Sequence, residues 1–346
     1  MQANVASTEA SRPHDAVEPA TMRAARLVSP GRWSVERVAR PAIAPGQVLV
    51  RLEGCGVCSS SLPVWEGRPW FEYPLAHGAP GHEGWGRVEA VGSQASGLVR
   101  GDRVALLSYA AFAEFEAVDA KATVKLPAAL DAMPFPGEAL GCGLNVWARA
   151  DIRPGHTVAV VGAGFLGALL VRLASAEGAR VLAISRRPFS RSLASRMGAG
   201  EAFDLDEATV PRVLEATSGR GCDRVIEATG LQQPLDVAGA IVATRGRLVI
   251  AGYHQDGLRH VDMQSWNWRG IDVVNAHERE RDAYMAGITR AVDAVCAGLL
   301  DPRPLITHVF PLERIGEALD HTRTRPQGFV KAIVTMGGAA ADARPS

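Results

Sequence analysis

The chain has 346 residues, of which 47% are hydrophobic and 21% are charged. This length predicts two domains, and this composition is typical of a folded globular protein. The 37 basic residues balance the 37 acidic ones, which excludes the strongly basic surface of a nucleic-acid-binding protein. No stretch of the chain is apolar over the ~18 residues that a membrane span requires.

Residues 1–21 are polar and of mixed charge, which predicts a flexible N-terminal extension. They lack the apolar segment of a secretory signal peptide, and we therefore expect a cytoplasmic protein. The five cysteines agree with this expectation, because they are too few to form a disulfide framework in so long a chain.

Residues 22–147 predict a β-rich domain. Short runs of strand-forming residues, such as 47–52, 86–91 and 102–106, alternate with glycine and proline. Turn-forming residues bound each run, as an all-β organisation requires.

Residues 148–277 predict a doubly wound α/β domain with a parallel sheet. The run 157–161 is continuously apolar, as expected for a strand that is buried on both faces of such a sheet. A helical segment at 166–177 follows, and a second buried run occupies 180–184. Further apolar runs before residue 251 continue this alternation of strand and helix.

Residues 278–346 predict helices at 284–299 and 312–323, followed by a final strand at 329–334. This mixed pattern comes after a complete α/β unit. We therefore expect the end of the chain to return to the first domain and complete it.

The first buried strand is joined to the following helix by a glycine-rich turn with the sequence Gly162-Ala163-Gly164-Phe165-Leu166-Gly167. In this context the pattern predicts a dinucleotide-binding turn. Gly162 allows the tight turn, Gly164 lets the pyrophosphate approach the backbone, and Gly167 lets the helix pack closely on the strand. The alternative is a turn with a purely structural role.

The end of the second strand indicates which dinucleotide binds. An acidic residue at this point would bind the ribose hydroxyls of NAD(H), but the chain has Ser185, Arg186 and Arg187. A hydroxyl and two guanidinium groups suit the 2′-phosphate of NADP(H). We therefore predict NADP(H) rather than NAD(H). The alternative is that both arginines are solvated surface charges.

Three other segments carry side chains of the types that zinc prefers. Cys58 lies in the first segment, His82 and Glu83 in the second, and Glu138 and Cys142 in the third. No segment is specific by itself, since a lone cysteine is more often a core residue and a histidine between glycines can be a turn residue.

From Met22 to Met336 the order of these motifs resembles the medium-chain zinc-dependent alcohol and polyol dehydrogenases. The segments 56–61 and 81–84 are similar to the first two ligand motifs of that family, and the segments 101–104 and 329–331 also follow in family order. The resemblance implies a GroES-like catalytic domain, formed by residues 22–147 and 278–346, beside a Rossmann domain. It also implies hydride transfer between NADP(H) and a secondary alcohol or ketone of a polyol, cyclitol or sugar-like molecule.

By this resemblance, Cys58 and His82 are zinc ligands. Glu83 either binds the metal directly or contacts one of its ligands. The family's spacing from the dinucleotide turn favours Glu138 over Cys142 as the third ligand, and Cys142 then lies where family members contact the nicotinamide.

The resemblance assigns roles to two further residues, and at two positions the chain departs from the family pattern. Ser60 would accept the substrate's hydroxyl proton, and Lys331 would contact the cofactor pyrophosphate unless it is a solvated edge lysine. Ser61 replaces the aspartate that orients the histidine ligand, and Pro63 replaces a proton-relay histidine. The four-cysteine lobe of the family is absent as well, so we expect one catalytic zinc and no structural zinc.

Some residues fit more than one role. Cys55 and Cys58 have the spacing of a redox pair, but no thioredoxin-like unit surrounds them, and we expect Cys55 to be a packed thiol. We also expect Cys296 to be a core residue. Trp266 and Trp268 suit a substrate pocket, a subunit interface or the core.

Two alternative functions remain. One is a zinc-free NADPH-dependent reductase of the same fold that acts on an enone or imine. The other is a non-catalytic NADPH-binding protein. Under the main interpretation the partners are a small alcohol or carbonyl compound and further copies of the chain in a homodimer or homotetramer, with no nucleic acid and no membrane.

Overall fold

The structure is a computed structural model, and it describes residues 20–337. We number the strands in this range in chain order: β1 Thr21–Ser29, β2 Arg32–Ala39, β3 Gln47–Gly56, β4 Glu83–Val91, β5 Arg103–Leu106, β6 Phe115–Asp119, β7 Thr123–Lys125, β8 Thr157–Val161, β9 Arg180–Ile184, β10 Glu201–Phe203, β11 Cys222–Glu227, β12 Val242–Ile250, β13 Asp272–Asn275, β14 Ile306–Pro311 and β15 Lys331–Thr335.

The α-helices are numbered in the same way: α1 Leu62–Glu66, α2 Gly137–Ala150, α3 Phe165–Ala176, α4 Pro188–Arg196, α5 Thr209–Ala216, α6 Gln232–Ile241, α7 Met263–Arg269, α8 Arg281–Cys296 and α9 Ile315–Thr324. Short 3₁₀ turns connect several of these elements, and one of them, Ser59–Ser61, directly precedes α1. None of the helices in the described range is long and apolar enough to cross a membrane.

A seven-stranded sheet forms the β-rich part, with the order β14-β15-β3-β4-β5-β7, and β6 also pairs with β3. The last two strands of the chain therefore lie beside β3, the long central strand. Apolar side chains alternate along β3, and its buried residues Val48, Val50 and Leu52 pack into the core of this sheet. This period of two is the pattern expected of a strand with one buried face.

A six-stranded parallel sheet forms the second part, with the order β10-β9-β8-β11-β12-β13. This is the strand order of a doubly wound dinucleotide-binding fold, so the predicted fold class is confirmed. All five residues of β8 are buried. The strand lies in the interior of the sheet with helices on both faces, which explains its continuous apolar sequence.

Helices α2 and α8 pack together at the junction of the two sheets. Leu140 on α2, Leu169 on α3, Ile288 on α8 and Ile333 on β15 belong to one buried cluster. Burial of each such side chain stabilises the fold by roughly 1.5–3 kcal/mol. Because the cluster joins β15 to helix α3, which follows the dinucleotide turn, it connects this turn to the sheet that carries the zinc-type ligands.

The structure corrects several sequence expectations. Thr21 belongs to β1 rather than to an extension, and residues 1–19 of that predicted extension lie outside the described range. Cys296 is exposed at the end of α8, whereas Cys55 is buried as expected. Of the two tryptophans, Trp266 packs in the core, but Trp268 is 91% exposed.

Candidate functional site

Strand pairing brings the zinc-type residues together. β15 and β4 lie on either side of β3 at Gly56, which pairs with Ile333 on one side and with Glu83 on the other. Cys58 follows the end of β3, and His82 directly precedes β4. The end of one central strand therefore collects side chains from segments that are distant in the chain.

Cys58, His82 and Glu83 form a compact group whose possible ligand atoms all lie within 4.8 Å of one another. No other group of this kind lies within residues 20–337. Gly56 makes room for it, because a Cβ atom there would lie 1.8 Å from Oε2 of Glu83. A thiol, an imidazole and a carboxylate are the donor types that zinc prefers.

His82 is oriented by the backbone. Its Nδ1 lies 2.8 Å from the carbonyl oxygen of Pro80, which accepts the ring N–H, and its Nε2 lies 3.4 Å from Oγ of Ser60. The Pro80 carbonyl thus fixes the orientation of the His82 ring. Burial would lower the pKa of the imidazole, but Cys58, Glu138 and Glu83 raise it to about 10.

Lys331 lies inside the site and is only 5% exposed, so it is not a solvated edge lysine. Its Nζ lies 2.8 and 2.7 Å from the two carboxylate oxygens of Glu83 and 4.6 Å from the centroid of the Phe165 ring. Burial would lower the pKa of the ammonium, but Glu83, Cys58 and Glu138 raise it. The predicted contact with the pyrophosphate stays a prediction, and the observed partner is Glu83.

Glu138 lies in the first turn of α2, outside the compact group but electrostatically coupled to it. It is 8% exposed, and the thiol of Cys142 donates to its Oε1 at 3.2 Å. Burial raises the pKa of this carboxyl, and charge on His82 opposes that rise. Among the described residues, Glu138 forms no direct ion pair, and the charges of His82 and Lys331 favour its ionised form only from a longer distance.

The dinucleotide turn has open space at its centre and close contacts at its ends. Gly164 is exposed, and a Cβ atom there would meet nothing within 4 Å, so the backbone is accessible to a ligand. A Cβ atom at Gly167 would lie 1.9 Å from the carbonyl oxygen of Gly162. Phe165 and Leu166, both half-buried, open helix α3 with its free N–H groups.

Arg186, Arg187 and Arg325 form a cluster of arginines. The first two follow β9, and Arg325 follows α9. Ser185 is buried, Arg186 is exposed, and Arg187 donates to the carbonyl of Phe329 at 2.7 Å. Loss of hydration and the charge of Arg325 lower the pKa of Arg187, and loss of hydration and the charge of Arg186 lower that of Arg325. Within residues 20–337, none of the three arginines forms an ion pair with a carboxylate. Such a cluster is suited to binding an anion.

Sequence reasoning missed Arg325, Tyr109 and Glu116. Tyr109 stacks on His82 with ring centroids 6.4 Å apart, and Oε1 of Glu116 accepts the N–H of Ala110 at 3.2 Å. Glu116 therefore holds the loop that carries Tyr109. No local motif in the sequence marks these residues.

The comparisons with known proteins agree with this arrangement. Residues 44–128 match the family model of the alcohol dehydrogenase GroES-like domain, and residues 166–293 match that of the zinc-binding dehydrogenases. The chain belongs to the zinc-dependent medium-chain dehydrogenase family. The resemblance noted in the sequence is therefore confirmed.

Relatives match over nearly their full lengths. Sorbitol dehydrogenase of Homo sapiens is 27% identical, over 84% of this chain and 90% of its own. The 2-dehydro-3-deoxy-L-galactonate 5-dehydrogenase of Pseudoalteromonas atlantica is 25% identical, over 88% of this chain and 96% of its own. One solved structure is that of a protein from Sinorhizobium meliloti 1021, described as a zinc-binding dehydrogenase and bound to NADP. It superposes with a TM-score of 0.80 at 25% identity and covers 92% of this chain and 100% of its own.

Glu116 gives a prediction about pH. Burial raises the pKa of this carboxyl to about 7, against an ordinary value of 4.5. Between these two values the folded chain holds a proton that the unfolded chain releases, so this contribution to stability is present below pH 4.5 and is lost as the pH rises through 7. At pH 8, Glu116→Gln should therefore raise the free energy of unfolding by about 2–3 kcal/mol.

The measurement is urea unfolding of the wild type and of Glu116→Gln at pH 5 and pH 8. The difference in their free energies of unfolding should be smaller at pH 5 than at pH 8. Glu114→Gln is the matched control, because Glu114 pairs with Arg23 at 2.9 Å and its removal should not stabilise the chain at either pH. A Glu116→Gln protein that is less stable than wild type at pH 8 would contradict the account.

Proposed function

We propose that this protein is a zinc-dependent dehydrogenase that transfers a hydride between NADP(H) and a secondary alcohol or ketone of a polyol, cyclitol or sugar-like substrate. The observation that carries the proposal is the compact group of Cys58, His82 and Glu83 at the end of β3. Sorbitol dehydrogenase and the galactonate 5-dehydrogenase, whose names indicate polyhydroxylated substrates, support this substrate class.

Charge balance supports a resident divalent cation. Cys58 as a thiolate, Glu83 and Glu138 would bring three negative charges to a buried site, and Lys331 supplies one positive charge. One Zn²⁺ would neutralise the remainder, and these ligands must be deprotonated to bind it. We therefore propose that Cys58, His82, Glu83 and Glu138 hold one zinc ion. When bound, the zinc would act as a Lewis acid that polarises the substrate oxygen.

The residues around this position would orient the substrate and move its proton. Ser60 Oγ faces the same side of the site as His82 Nε2 and is half-exposed, so it can accept the hydroxyl proton and pass it to water. Pro63 has no polar side-chain atom, which leaves this route through Ser60. Tyr109, 59% exposed beside His82, would line the substrate side of the site.

The arginine cluster supports NADP(H) over NAD(H). A 2′-phosphate carries about two negative charges and several acceptor oxygens, which unpaired guanidinium groups bind in charge-assisted hydrogen bonds. Within residues 20–337, the guanidinium groups of Arg186 and Arg325 have no hydrogen-bond or ion-pair partner, whereas Arg187 already donates to the backbone. We propose that the first two bind the phosphate and that Arg187 anchors their segments.

Further copies of the chain are the proposed macromolecular partners. β13 pairs with β12 alone among the described strands, so its outer edge is open. Trp268 and Leu258, which are 91% and 95% exposed, lie in neighbouring segments of the chain. An open strand edge and exposed large apolar side chains both favour a homo-oligomer, and we propose that it lies in the cytoplasm, where the five free cysteines would stay reduced.

The test of the proposed function is a screen of alcohols, polyols and cyclitols with NADP⁺ and NAD⁺ in parallel. We expect oxidation of at least one polyhydroxylated substrate, with kcat/KM for NADP⁺ about tenfold or more above that for NAD⁺. Arg186→Gln should raise KM for NADP⁺ and leave KM for NAD⁺ unchanged. Arg196→Gln, at the far end of α4, is the control. A wild-type preference for NAD⁺ would overturn the cofactor assignment.

Metal content separates the candidate ligands. Purified wild-type protein should contain about one zinc per chain, and Glu138→Ala should lose most of it, because a zinc site that loses one ligand binds far more weakly. Cys142→Ala should keep its zinc, since Cys142 only donates to Glu138. Elemental analysis gives the result without an activity assay. Zinc loss in Cys142→Ala but not in Glu138→Ala would reverse the assignment, and zinc-free wild type would favour a zinc-independent reductase.

A further inference from the structure

A buried hydrogen-bond network lies at the carboxyl edge of the six-stranded sheet. Its centre is Glu227, the last residue of β11, whose side chain is fully buried. Oε1 of Glu227 accepts the backbone N–H groups of Thr229 and Gly230 at 2.6 and 3.0 Å, and it also accepts the Thr229 hydroxyl. This oxygen therefore fixes the loop that follows β11.

The other carboxylate oxygen fixes the loop that follows β12. Oε2 of Glu227 lies 3.0 Å from Nε2 of His254, and Nδ1 of the same ring accepts the Nε–H of Arg259 at 2.9 Å. Because an arginine nitrogen can only donate, Nε2 carries the ring proton and His254 donates it to Glu227. Arg259 completes the network by donating to the carbonyl of Gly230 at 2.8 Å.

Thr229 connects this network to the dinucleotide turn. A Cβ atom at Gly162 would lie 2.5 Å from Cγ2 of Thr229, so this side chain packs directly on the first glycine, whose φ of +103° also favours glycine. In a sheet of this strand order the dinucleotide lies outside the carboxyl ends of the strands, where the order reverses between β8 and β11. The loop that carries Thr229 borders that point.

Tyr253 belongs to the loop that follows β12 and is fixed by its neighbours. It directly precedes His254 and stacks on His277 with ring centroids 4.9 Å apart and planes 8° apart. A Cβ atom at Gly230 would lie 2.5 Å from the carbonyl oxygen of Tyr253, so the loops after β11 and β12 pack directly against each other.

We propose that Glu227, His254 and Arg259 position the nicotinamide end of the cofactor by fixing both loops to one buried carboxylate. They are positioning residues, since they act through Thr229 and Tyr253. A buried carboxylate that loses a donor is left unsatisfied, and the loop it held is released. The inference rests on the proposed function only in requiring a nicotinamide dinucleotide.

The test is the Kd for NADPH and for NADH, measured by quenching of tryptophan fluorescence without turnover. His254→Leu keeps a side chain of similar size but removes the hydrogen bonds to Glu227 and Arg259. It should raise the Kd of the preferred dinucleotide about tenfold or more. Its zinc content should be unchanged. In His254→Gln the amide can still donate to Glu227, and its Kd should return to within about threefold of wild type.

Arg224→Leu is the matched control, because Arg224 precedes Glu227 on the same strand but donates away from the network, to the carbonyls of Ala150 and Asp151 at 2.9 and 3.0 Å. It should lower the Tm but change the Kd by less than about twofold. An unchanged Kd in His254→Leu, or an equal loss in Arg224→Leu, overturns the inference. If His254→Leu does not fold, Arg259→Lys provides the same comparison.

The two proposals fail separately. Wild-type protein that binds NADPH or NADH but oxidises no polyol would overturn the substrate class, and the Kd comparison would still decide the role of His254. Wild-type protein that binds neither dinucleotide would overturn both proposals.

Discussion

The arrangement of the site depends on the buried ion pair between Lys331 and Glu83. Both side chains are almost fully removed from water, which costs several kcal/mol for each ion unless other interactions offset it. The pair joins β15 to β4 across Gly56 of β3, and Lys331 also lies over the ring of Phe165 at the dinucleotide turn. One contact therefore sets the position of the carboxylate relative to both the zinc-type ligands and the cofactor side.

This pair does not complete the charge balance. Glu138 is also buried, and in the described part of the chain the Cys142 thiol is its one hydrogen-bond partner. The anionic surroundings raise the pKa of His82. If no ligand bound here, replacing these buried charged groups with apolar side chains would raise the stability of the fold. The cation site proposed above accounts for these buried carboxylates and for the orientation of His82 by the carbonyl of Pro80.

The sequence contained enough information for most of the fold because its signals are local. The buried run at β8, the glycine turn after it and the second buried run at β9 can each be recognised from neighbouring residues alone. Cys58 and His82 required more than their own short segments, and the order of several motifs along the chain was needed to assign them. Helix ends were predicted less well: α8 begins at Arg281 rather than at residue 284, because no capping residue marks its start.

The remaining features depend on contacts between distant segments. The pairing of Lys331 with Glu83 requires the register of β15, β3 and β4, and no spacing rule predicts that register. Arg325 joins the arginine cluster from the end of α9, which is distant in sequence from Arg186. Pro80 orients His82 through its backbone carbonyl, an atom that every residue has and that therefore gives no sequence signal. For this reason the sequence favoured Glu138 as the third ligand without showing that Glu83 lies within the compact group.

X-ray absorption at the zinc edge of the purified protein tests the central claim most directly. A site formed by Cys58, His82 and carboxylates predicts one sulfur at about 2.3 Å and the other ligands, nitrogen or oxygen, at about 2.0–2.2 Å. Lysines and arginines elsewhere in the chain do not contribute to this spectrum. A shell with several sulfur atoms, or protein that retains no zinc after purification in its presence, would contradict the account.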